Sequence, residues 1–136
     1  MKRVVVITTV AALVALFAVP AVAAIRAIAR PTGEMVIGYQ VVLTIHSAAG
    51  GMSIQERVDQ VTTRLNKRLG SADFDPKLIN VRKLGSEYTV SYVNDLIVTA
   101  DRNTAKLNGT TTEKLAQKWA ANLRRVIPLA KNQSGS

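Results

Sequence analysis

The chain contains no cysteine. That excludes disulfide bonds, so packing alone must hold any exported form. It also excludes structural zinc and iron–sulfur sites built on thiolates. Aromatic residues make up 4% of the chain, and histidine occurs once, at His46. Acidic residues are scarce as well, 9 against 18 Lys and Arg, which gives a formal net charge of +9. A basic surface draws anionic partners such as nucleic acid, acidic headgroups or acidic envelope polymers.

What is abundant comes first in the chain. Lys2 and Arg3 precede 22 residues without a charge, Val4 to Ile25. A bilayer span needs ~20 apolar residues. A signal peptide has a shorter apolar region, ~7–15 residues, ending in small side chains. Pro20 interrupts the run, and Ala21-Val22-Ala23 follows it with the small residues a signal peptidase requires. Residues 1–23 are therefore expected to be a signal peptide or an N-terminal membrane anchor. Both place the remainder outside the cytoplasm, periplasmic or secreted, because the positive end stays inside. The body of about 105 to 113 residues is long enough for one core.

Residues 24–34, with Pro31 and Gly33, read as a linker. Residues 35–128 are expected to form one domain and residues 129–136 a flexible tail. "MVIGYQVVLTIHS" reads as one or two strand segments, with Gly38 at a bulge or bend. "SIQERVDQVTTRLNKRLG" predicts a helix. Ser53 and Glu56 have capping-box spacing, and Ile54, Val58, Val61, Leu65 and Leu69 form one apolar stripe. Residues 79–84 predict a strand. "EYTVSYV" and "LIVTA" predict a hairpin turning at Asn94-Asp95. Asp101 predicts the cap of a short helix ending near Asn108-Gly109. Thr110 and Glu113 predict the start of a last helix with Leu115, Trp119, Leu123, Val126 and Ile127 inward, ended by Pro128. The order β-α-β-β-β-(short α)-α predicts an α+β fold: a small antiparallel or mixed sheet of about four strands packed against two main helices.

Two stretches carry a family resemblance, "VVLTIHSAAGGMSIQERVDQVTTRL" and "LIVTADRNTAKLNGTTTEKLAQKWAANLRRVI". They resemble a small exported bacterial domain that precedes the membrane region of cyanobacterial small-conductance mechanosensitive (MscS-type) channel proteins. The resemblance covers roughly residues 36–128 and implies an extracytoplasmic domain beside a membrane protein. It implies no catalytic residues.

Residues suited to catalytic chemistry are few. A hydrolase would use Ser47 or Ser53 with His46, but adjacent strand residues point to opposite faces. Asp73 and Asp75 suit a turn ahead of Pro76 better than a calcium loop. "AAGGMS" lacks the lysine of a phosphate loop. Tyr88 and Tyr92 beside Arg82 and Lys83 would imitate a nucleic-acid stacking platform. The expectation is a non-enzymatic interaction or sensory module with no cofactor, no metal and no nucleic acid. Its partners would be a membrane protein or an anionic lipid or envelope polymer. The basic helix residues Arg57, Arg64, Lys67, Arg68, Lys114, Lys118, Arg124 and Arg125 are the candidates for that contact.

Overall fold

The computed structural model describes residues 25–134; the apolar leader read in residues 1–23 lies outside them. The fold is α+β, as the sequence predicts, but its strands form two sheets. One is the antiparallel meander of β1 (Ala27–Ala29), β2 (Glu34–Ile37) and β3 (Gln40–Thr44). The other is the antiparallel meander of β4 (Ile79–Leu84), β5 (Glu87–Tyr92) and β6 (Asp95–Ala100). Helices α1 (Ile54–Leu69), α2 (Arg102–Leu107) and α3 (Thr112–Ser134) complete it, with a 3-10 turn at Pro76–Leu78.

The stretch read as a linker thus holds β1. Three residues are too few for a period-two pattern, and only pairing with β2 makes them a strand. Helix α1 starts where the pattern puts it: the Ser53 hydroxyl accepts from the Glu56 amide at 3.1 Å. Helix α3 begins one residue later than the capping box implies, with Thr111 Oγ1 accepting from the Lys114 amide. It also runs through Pro128 into the expected tail. Val126 and Ile127 are buried and Ala130 packs on the same core, so burial on both sides of the proline offsets its missing hydrogen bond.

Helix α3 packs against both sheets, while α1 packs against β1, β2 and β6. The core between them is aliphatic, with Met35, Ile45, Val58, Leu65, Ile97, Leu123 and Ile127 almost wholly enclosed. Trp119 is buried in it as expected.

Each open sheet edge is met by a polar side chain from a helix. On α1, Asn66 accepts from the Ala27 amide at 2.7 Å and donates to its carbonyl at 2.9 Å, as another strand would on β1. Asn122 on α3 donates to the Val42 carbonyl of β3 at 3.1 Å. Arg124 donates twice to the Ile79 carbonyl of β4, at 2.9 and 2.6 Å. Arg57 on α1 reaches the Thr99 carbonyl of β6 at 3.3 Å. Unpaired strand edges recruit other chains, and these contacts blunt all four.

The β5–β6 turn is Val93-Asn94, because Tyr92 pairs with Asp95. Val93 has φ of 55°, a left-handed conformation that a β-branched residue adopts only under strain. The sequence placed this turn one residue late because valine is a strand former, not a turn former. Val93 is 44% exposed, so little packing is lost on truncation. Val93→Gly is expected to stabilise the domain by about 1 kcal/mol. The check is urea denaturation, with a raised midpoint and an unchanged slope.

Candidate functional site

A cleft of about 250 Å³ lies between α1, the Ala49–Met52 loop and the start and end of the β5–β6 hairpin. One wall carries Arg57, Gln60 and Arg64 of α1; the other carries Glu87, Thr99 and Asp101. The loop turns tightly at Gly50 and Gly51, with φ of 60° and 76°, which allows Ala49 and Met52 to bridge.

Arg57 is the buried residue of the α1 wall. It precedes the stripe residue Val58, and the helix turns it toward the end of β6. Its Nη1 donates to Asp101 Oδ1 at 2.7 Å and to the Ser47 carbonyl at 2.6 Å. The pair is enclosed, at 7% and 9% side-chain exposure. Asp101 Oδ2 accepts from the Thr104 amide at 2.9 Å, so one carboxylate caps α2 and neutralises α1's arginine. Burial disfavours the ionised Asp101, but the Thr104 amide and the Arg57 guanidinium outweigh it. They hold the carboxyl below the usual carboxylate range. A carboxylate so held is a poor general base near neutral pH.

Arg57 is therefore corrected: it is a buried structural arginine, not a surface contact. Its partner lies 44 residues away, which no local pattern reveals. The other seven expected basic residues divide. Arg68 pairs with Asp95. Arg124 is engaged with Ile79, and Arg125 donates to Gln40 Oε1 at 2.9 Å. Arg64, Lys67, Lys114 and Lys118 have no ion-pair partner among the described residues. They form two short basic strips, one per helix, with the spacing of residues that share a helix face. Most carboxylates are engaged elsewhere. Glu34, Asp95 and Asp101 are in ion pairs, and Asp75 and Glu87 accept from the amides of Lys77 and Arg102.

The remaining candidates have structural places. His46 is exposed at the end of β3. Ser47 Oγ donates to the Ala48 carbonyl and Ser53 Oγ caps α1, so neither hydroxyl is bonded to His46. Asp73 is bonded to Ser71. Tyr88 and Tyr92 pack on the core, and Tyr92 stacks on Phe74 at 4.7 Å between ring centres. No group of three or more metal-binding side chains occurs among the described residues. None of their helices is long and apolar enough to cross a membrane.

These features define a class: a small, helix-backed α+β domain of two antiparallel meanders, with its carboxylates largely committed internally and its cations in excess. The chain belongs to the family described as Domain of unknown function (DUF8459), whose model matches residues 34–130. No curated protein and no solved structure matches it.

Proposed function

We propose that this domain is a non-enzymatic interaction module. It works outside the cytoplasm, beside a membrane protein, and contacts anionic envelope surfaces through Arg64, Lys67, Lys114 and Lys118. The observation that carries this reading is the uneven use of charge. Five acids are taken up by caps and ion pairs, while these four helix cations have no ion-pair partner among the described residues. The uncharged N-terminal run supports export, and the resemblance to the domain of MscS-type channel proteins supports the setting. The Ser47 hydroxyl bonded to the Ala48 carbonyl, the Ser53 hydroxyl bonded to the Glu56 amide and the low-lying Asp101 carboxyl support a binding role over hydrolysis.

The test is binding of the full chain to two soluble polyanions, a polyphosphate and an acidic polysaccharide, as salt is raised, since an apolar anchor adds nothing to either. Between ~0.01 and ~1 M salt the screening length shrinks from ~30 to ~3 Å. Binding is expected to weaken steeply over that range. A flat salt response, or binding to neither probe, would overturn the proposal.

A further inference from the structure

The chain enters the domain beside a conspicuous side chain. Ala27 sits opposite Ile37, the last residue of β2, so the residues just before β1 lie next to the Gly38-Tyr39 turn. Tyr39 is 97% exposed, the most exposed large apolar side chain described. The turn forms a shallow pocket with the C-terminal part of α3, including Leu129, which is 45% exposed. Arg125 is tied to this turn through Gln40, and Arg26 is exposed on the entering strand side. Immediately before Arg26 lies the 22-residue uncharged run Val4 to Ile25.

An exposed tyrosine and an exposed leucine thus share the end of the domain that the apolar run enters, with Arg26 on the entering segment and Arg125 beside the turn, neither with an ion-pair partner among the described residues. That combination matches a bilayer interface. Tyrosine rings sit at headgroup level, arginines meet anionic headgroups, and stable attachment takes two signals. We infer that this end of the domain is the membrane-facing end, with Tyr39 and Leu129 seated in the interface of an anionic bilayer and Arg26 and Arg125 on its headgroups. The inference rests on the extracytoplasmic reading above, with the apolar run kept as an anchor.

The chain lacks cysteine, so one introduced thiol can be labelled cleanly. The full chain would be reconstituted into vesicles of phosphatidylcholine and phosphatidylglycerol, carrying a bimane label at Tyr39→Cys or at Ala48→Cys. Ala48 is exposed before the start of α1, whose other end meets Ala27 through Asn66. The expected result is blue-shifted emission and several-fold weaker acrylamide quenching at position 39, with position 48 unchanged from solution. Adding Arg26→Gln and Arg125→Gln is expected to bring position 39 towards its behaviour on pure phosphatidylcholine. Vesicle-bound chain with position 39 as open to quencher as position 48 would overturn the orientation and leave the anchor standing. Chain that stays out of the vesicle fraction would overturn both.

Discussion

Asp101→Ala is expected to destabilise the domain by about 3–5 kcal/mol, because it leaves the Arg57 charge buried without its partner. A small domain has only about 5–15 kcal/mol in total, so the variant is expected to be partly unfolded at moderate temperature. The same change removes the cap of α2, a smaller effect of about 1 kcal/mol. Desolvation of the charge is the larger cause, and a second variant separates the two. Replacing both partners by apolar residues, Arg57→Met with Asp101→Leu, is expected to recover most of the loss while the cap stays missing. Urea unfolding of the three proteins is the check. A loss below about 1 kcal/mol for Asp101→Ala would mean that water screens the pair.

The pair also sets a pH dependence. Asp101 has a folded pKa below its unfolded value of about 3.9. Its contribution is therefore complete above that unfolded value and is lost as pH falls through the lower folded one. The wild type is expected to lose stability below about pH 4, and the doubly apolar variant is expected to lack this share of the acid slope.

Gly33→Ala carries the other large effect. Gly33 lies between β1 and β2 with φ of 83°, where an L side chain is strained. A Cβ there would stand 2.3 Å from the Ile45 carbonyl oxygen and 2.8 Å from Ile54 Cγ2. The first neighbour is backbone, held by the bond from the Ile45 amide to the Gly33 carbonyl at 2.9 Å, so it cannot swing aside. Left-handed strain and overpacking together are expected to cost about 2–4 kcal/mol. Gly50→Ala serves as the comparison. It shares the positive φ but has open space around its Cβ, so it is expected to cost only the conformational part, about 1–2 kcal/mol. Equal losses in urea unfolding would show that the close approach at Gly33 contributes nothing.

The sequence made the helical stripes, the caps at Ser53 and Asp101 and the β4–β5–β6 meander legible, since each rests on neighbours within a few residues. It hid what depends on distant partners. β1 is a strand only because β2 pairs with it. The turn at Val93 defies the residue preferences that placed it at Asn94-Asp95. Pro128 ends a helix in isolation, yet the core on either side carries α3 past it. At the candidate site, net charge and helix position pointed to eight basic residues. Which of them are spent depends on Asp101, Asp95, Ile79 and Gln40, each distant in sequence from its cation. Asn66 and Asn122 gave no signal, because an asparagine on a helix reads as surface until a strand edge lies beneath it.

Arg64, Lys67, Lys114 and Lys118 have no ion-pair partner among the described residues and are the proposed anionic contact. That contact is tested most directly by binding of the full chain to a soluble polyanion at low salt, with Arg64, Lys67, Lys114 and Lys118 each changed to glutamine and then together. Each replacement is expected to weaken binding about fivefold, the effect of removing about 1 kcal/mol per cation, with unfolding curves unchanged. Undiminished binding by the fourfold variant would contradict the claim.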